Sequence, residues 1–135
     1  MIQQTERLPA TDPQCNLGPY EEAVRTFRWE DIEKHFTWYK TGKVNMAYEA
    51  IDRHVEEGRG NRTALLYSDA VRDERYTFAD LARLSNRFAN VLRSLGVRRG
   101  DRVFIYMPRS PELYYSLLGT LKIGAIAGPL FEAFM

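Results

Sequence analysis

Apolar positions recur most regularly between residues 78 and 95. Phe78, Leu81, Ala82, Ser85, Phe88, Ala89, Leu92 and Leu95 fall on one face of a helix, and Arg83, Asn86, Arg87, Asn90 and Arg93 lie mostly away from it. Thr77 and Asp80 form a capping-box pattern at its start, and Gly96 suits its end. Upstream, "TALLYS" at 63–68 and "ERYTF" at 74–78 flank a polar turn and read as a hairpin. Downstream, "RVFIYM" at 102–107 shows little alternation, which predicts a strand buried on both faces. Ser110 then suits an N-cap and Pro111 a first helical position, with Glu112 following. The helix predicted over 111–123 is apolar nearly all round, through Leu113, Tyr114, Tyr115, Leu117, Leu118, Leu121 and Ile123. Gly124 stops it, and "AIAGPLF" reads as a second buried strand. A strand, a helix and a strand at this spacing form a βαβ unit, whose strands are parallel.

The pattern before residue 60 is less regular. Residues 1–18 are polar, contain Pro9, Pro13 and Gly18, and read as a mobile arm. Residues 19–39 carry Tyr20, Val24, Phe27, Trp29, Ile32, Phe36, Trp38 and Tyr39 without one period, which predicts short helices with aromatic anchors. Asn45 suits the N-cap of a helix over 46–57 whose Tyr48, Ile51 and Val55 share a face, and Gly58 suits its end. The fold class is therefore α/β. An all-round apolar helix and a parallel pair need cover on more than one side, and few elements here supply it. The unit is expected to be incomplete as a domain, its apolar end "GPLFEAFM" at 128–135 reading as a cut edge.

Composition narrows the picture. The chain has 135 residues, with 19 Lys and Arg against 18 Asp and Glu, a balance that gives no global attraction to nucleic acid or anionic membrane. No apolar run is long enough to span a bilayer, and the first residues lack a signal-peptide shape. The single cysteine, Cys15, excludes an internal disulfide and fits a reducing, cytoplasmic setting.

Candidate chemistry is sparse. Neither G-x-x-x-x-G-K-[ST] nor G-x-G-x-x-G occurs, and "GRG" at 58–60 is a helix stop. His35 and His54 lie in separate predicted helices without a partner at ligand spacing, so no metal site is expected. The run Arg98-Arg99-Gly100-Asp101-Arg102 follows a helix C-terminus, where cations are favoured. The loop Pro108-Arg109-Ser110 follows the carboxyl end of a parallel strand, where open α/β sheets place ligands. Arg109 there either meets an anion or pairs with a carboxylate in a plain structural turn.

Three stretches carry a resemblance: "NMAYEAIDRHVE" at 45–56, "ERYTFADLARLSNRFANVLRSLGVRRGDRVFIYMPRSPEL" at 74–113 and "LGTLKIGAIAGPLFEAF" at 118–134. In this order they resemble the AMP-forming acyl-CoA synthetases of the adenylate-forming superfamily, and within them the bacterial acetyl-CoA synthetases. "RWEDIEKHFTWY" at 28–39 resembles the N-terminal extension of the latter. The resemblance implies a helical extension over 19–60 and the start of the large adenylate-forming domain over 61–135. It implies an activity in which a carboxylate, ATP and CoA give acyl-CoA, AMP and pyrophosphate, with Mg²⁺ on the phosphates. The family's phosphate loop, adenylate-binding aspartate and adenylation lysine lie downstream of Met135, so no catalytic residue is expected here. Phe131-Glu132-Ala133-Phe134 matches a Phe-Gly-Gly-Phe loop near the pantetheine arm of CoA, with Phe131, Glu132 and Ala133 as the candidate edge of that site. Glu132 and Ala133 replace its two glycines, so side chains stand where backbone came close, and a plain structural loop is the alternative.

Two functions follow as expectations. The resemblance implies a segment of a ligase acting on a short carboxylic acid, inactive alone, binding no cofactor tightly, and partnered by the remainder of a parent chain or by itself. The other is a stand-alone interaction module derived from the same family.

Overall fold

The computed structural model describes residues 19–130 and divides the chain into two compact units, at residues 1–41 and 42–135. In the first, α1 (Tyr20–Thr26), α2 (Trp29–Glu33) and α3 (Thr37–Thr41) bury no residue. Each is too short to be stable by propensity alone. Their aromatic residues instead pair locally. Phe27 meets Trp29 edge-on at 5.0 Å, and Phe36 stacks on Trp38 at 4.1 Å.

The second unit opens with a helical stretch over 46–59 that contains π-helical turns at Tyr48–Asp52 and Val55–Arg59. Asn45 caps it as expected, its Oδ1 accepting from the backbone of Ala47 and Tyr48 at 3.1 and 3.2 Å. Gly58 takes a φ of 81°, which costs other residues sterically. Buried Glu49 is paired with Arg53 at 3.2 Å, and Arg53 reaches Glu57 at 3.2 Å.

The hairpin forms from antiparallel β1 (Thr63–Ser68) and β2 (Asp73–Thr77). Asp69 shapes its turn, accepting from the amides of Val71 and Arg72 at 2.7 and 2.8 Å. The long helix follows as α4 (Phe78–Ser94), with the complete Thr77–Asp80 capping box. Its buried residues are Leu81, Ser85, Ala89 and Leu92, four of the eight apolar-face positions.

β3 (Arg102–Ile105), α5 (Pro111–Lys122) and β4 (Ile126–Pro129) make the expected parallel βαβ unit. Three details differ from expectation. Ser110 sits at the N-cap with extended backbone, but its side chain makes no cap hydrogen bond; it turns instead to the Glu112 carboxylate. The buried face of α5 is small and polar, made of Ser116, Gly119 and Thr120, rather than of its leucines. The Thr120 hydroxyl needs no outside partner. Thr120 donates to the Ser116 carbonyl at 2.8 Å, as Ser85 of α4 does to Leu81 at 2.6 Å. Small residues let the two helices approach closely.

The third correction concerns the strands, which are not buried on both faces. Alternation puts Val103, Ile105, Ala125 and Ala127 on one side, with Ile105 and Ala125 buried. Phe104, Tyr106, Ile126 and Leu130 take the other and are 69%, 46%, 55% and 49% exposed. The crossover helix covers one face only, and among the described residues no element covers the second.

Lys122 ties this unit together. Its Nζ donates to Asp52 at 2.7 Å, to Asn86 at 2.8 Å and to the Ala82 carbonyl at 3.4 Å, joining the 46–59 stretch, α4 and α5. The Asn45 amide donates to the Lys122 carbonyl at 3.3 Å, so one side chain caps two helix ends.

Candidate functional site

The carboxyl ends of β3 and β4 are the place where an open parallel sheet receives ligands. The Leu130 amide donates to the Ile105 carbonyl at 2.9 Å, carrying the pairing one step past β4. The described chain stops at Leu130, and Phe131, Glu132 and Ala133 lie outside the described residues. From β3 the chain passes through Tyr106 and Met107 to the turn at Pro108–Ser110, where the Ser110 amide donates to the Pro108 carbonyl at 2.8 Å. Arg109 is exposed in that turn.

The electrostatics of this end come from the hairpin and the first turn of α5. Glu112 is held below its ordinary carboxylate range by the Ser110 hydroxyl, by its own backbone amide and, more weakly, by Arg72. Tyr76 donates to Glu74 at 2.7 Å, and that bond, with burial and the nearby Glu112 charge, pushes its hydroxyl up to about 12. Arg72 pairs with Glu74 at 3.0 Å and lies over the Tyr67 ring at 5.0 Å. Sequence reading missed this Arg72–Glu74–Tyr76–Glu112 group. No spacing signals it, because the two elements are joined only by the fold.

The remaining candidates lie elsewhere. Arg98 and Arg99 occupy the turn between α4 and β3, at the amino end of the parallel pair. The Arg98 amide donates to Asp101 at 2.7 Å, and the Gly100 amide to the Gly124 carbonyl at 3.0 Å, so the run is a structural turn. A cleft of about 760 Å³, lined by Lys43, Asn45, Met46, Arg99 and Lys122 among others, opens at this same end. His54 lies against Phe78, at 4.5 Å between ring centroids. Among the described residues, no group of three or more His, Cys, Asp or Glu could hold a metal ion, and no helix is long and apolar enough to cross a membrane. Cys15 lies outside them.

The hairpin, the capped helix α4 and the βαβ unit lie in one continuous segment, 63–129, and the comparisons assign that segment to a class of protein. The sequence model of the AMP-binding enzyme family matches residues 51–134, and the chain belongs to that family. Within it, the chain is 63% identical over 129 residues to the acetyl-coenzyme A synthetase of Bacillus subtilis (strain 168), covering 95% of this chain and 23% of that protein. The acetyl-coenzyme A synthetase of Magnetococcus marinus is 40% identical over 107 residues, covering 77% of this chain and 16% of that protein. The crystal structure of a Brucella canis acyl-CoA synthetase superposes with a TM-score of 0.70 at 36% identity, over 87% of this chain and 21% of that one. The fold is accordingly a segment of the adenylate-forming acyl-CoA synthetase fold. The chain spans less than a quarter of the length of these relatives.

Proposed function

We propose that this chain is the opening segment of an ATP-dependent, AMP-forming acetyl-CoA or short-chain acyl-CoA synthetase. The observation that carries the reading is the 63% identity to an acetyl-coenzyme A synthetase across nearly the whole chain. In the parent, a carboxylate oxygen attacks the α-phosphorus of ATP and pyrophosphate leaves. The CoA thiol then attacks the acyl-adenylate carbonyl, and AMP leaves. Mg²⁺ balances the phosphate charge. Residues 19–60 form a helical extension whose last turns, from residue 51, already fall within the match to the AMP-binding family, and 61–135 carry that domain on. This segment supplies scaffold and, through Phe131, Glu132 and Ala133, one edge of the pantetheine channel. ATP and Mg²⁺ are held by the remainder of the parent, since no phosphate loop occurs here. The single cysteine suits a cytoplasmic enzyme.

The test is pyrophosphate release by the full-length parent with acetate, propionate or butyrate, followed by CoA-dependent acyl transfer. Release with acetate supports the reading; no release with any of the three sinks it. Phe131→Ala in the parent is expected to raise KM for CoA and leave KM for ATP unchanged. The 135-residue chain alone is expected to release no pyrophosphate above a protein-free control.

The second reading is a stand-alone interaction module, which would dock a partner on the face of Phe104, Tyr106, Ile126 and Leu130. A chain that sediments as a compact monomer at high concentration and unfolds cooperatively supports that alternative.

A further inference from the structure

Away from the Lys122 junction, the start of α4 is held to residues 54–62 at a joint of two backbone bonds and a ring contact. The Phe78 amide donates to the Arg62 carbonyl at 3.1 Å, and the Ala79 amide to the Gly60 carbonyl at 2.9 Å. These satisfy two of the free donors at the start of α4. At the first residue of α4, the half-buried His54 ring rests on the Phe78 ring at 4.5 Å, tilted by 39°.

We propose that the His54–Phe78 contact is a proton-operated latch, in which a neutral imidazole keeps the joint closed and an imidazolium loosens it. The reading is independent of the ligase function.

The charges around His54 set the direction. Its own stretch contributes Arg53, Arg59 and Glu57, and the loop that follows contributes Arg62. From α4 comes the apolar Phe78 ring; Asp80, two residues on, is engaged by Thr77 and Arg83. An imidazolium thus meets three guanidinium groups and one carboxylate. Attraction to the face of Phe78 would favour the charged form. Desolvation opposes it, followed by the Arg59 and Arg53 charges, and together they hold the imidazole below its ordinary 6.5. Proton binding is then weaker in the closed joint than in an open one. By linkage, closure is undisturbed above 6.5 and is progressively penalised as pH falls below it.

Two measurements on the 135-residue chain test this. The chain holds only two histidines, so His35→Gln assigns the His54 ring signal in an NMR titration. Its midpoint is expected below 6.5, and a midpoint at or above 6.5 overturns the latch. Hydrogen exchange then reads the joint itself. Protection of the Phe78 and Ala79 amides, corrected for intrinsic rate, is expected to fall between pH ~8 and ~5 in the unsubstituted chain and to stay level in His54→Gln. Level protection in the unsubstituted chain, or an equal fall in His54→Gln, overturns the proposal. Should His54→Gln not fold, the titration midpoint and the protection of the unsubstituted chain decide it.

Discussion

Gly119 of α5 and Ser85 of α4 meet at the backbone: a Cβ on Gly119 would stand 2.6 Å from the Ser85 carbonyl oxygen. It would also stand 3.0 Å from the Phe88 ring and 3.1 Å from the Ala89 nitrogen. Gly119→Ala gains about 1 kcal/mol of helix propensity. The wall it meets is mainchain and cannot rotate away, and overpacking costs ~1–3 kcal/mol. A net loss of about 1 kcal/mol is expected. A lower urea midpoint with unchanged slope is the result to look for; an unchanged or higher midpoint contradicts the close approach.

Lys122 is only 9% exposed at its side chain, and Asp52 23%. Lys122→Met leaves the Asp52 carboxylate and the Asn86 oxygen without their shared donor. Hydrogen bonds to charged groups are worth roughly 1.5–3 kcal/mol, and a loss of about 2 is expected. Adding Asp52→Asn is expected to cost less than the two single changes summed. Strict additivity in that double-mutant cycle would show that the pair is not coupled.

Asp69 accepts from the Tyr67 hydroxyl at 2.7 Å as well as from the turn amides. The Tyr67 bond first, then the two amides, lowers its carboxyl from 3.8 to about 2. Because the folded value lies below the unfolded one, the stabilisation is present above 3.8 and is lost as pH falls through about 2. A carbon-detected titration of Asp69 should show a midpoint near 2. A midpoint close to 3.8 would mean that the turn does not hold the carboxylate.

Phe104 and Ile126 stand on the uncovered side of the parallel pair. The 135-residue chain is expected to bind a hydrophobic dye and to self-associate through this face. Phe104→Glu with Ile126→Lys should reduce both. If the double substitution leaves dye binding and sedimentation unaltered, the contact lies on another surface.

The sequence made α4 legible because its period, its capping box and its terminal glycine all agree. The βαβ order was equally plain, with strands a little shorter than predicted. The π-helical turns were not legible: Tyr48, Ile51 and Val55 repeat as they would in an ordinary helix, and a widened turn leaves no mark in that spacing. Which face of α5 is buried was also hidden. Leucines advertise burial by composition, yet Gly119 fits where a leucine cannot, and the closest helix pairing follows the small residues. The Ser110 cap failed for a local reason, since Glu112 competes for the hydroxyl. Of the site, the end of the sheet could be named from topology, while the Arg72–Glu112 neighbourhood depends on a long-range arrangement that no local pattern encodes.

The Lys122 junction also has a consequence in time. Its partner Asp52 precedes it by 70 residues. A ribosome adding about 5–20 residues per second needs roughly 4–14 s to cover that distance. Within that interval the helical stretch is made first and α4 second, and both then wait for the ammonium that joins them and for the small-residue face of α5. A slow codon cluster between Asp52 and Lys122 would lengthen this wait, because the junction needs both residues clear of the ribosome before it can close.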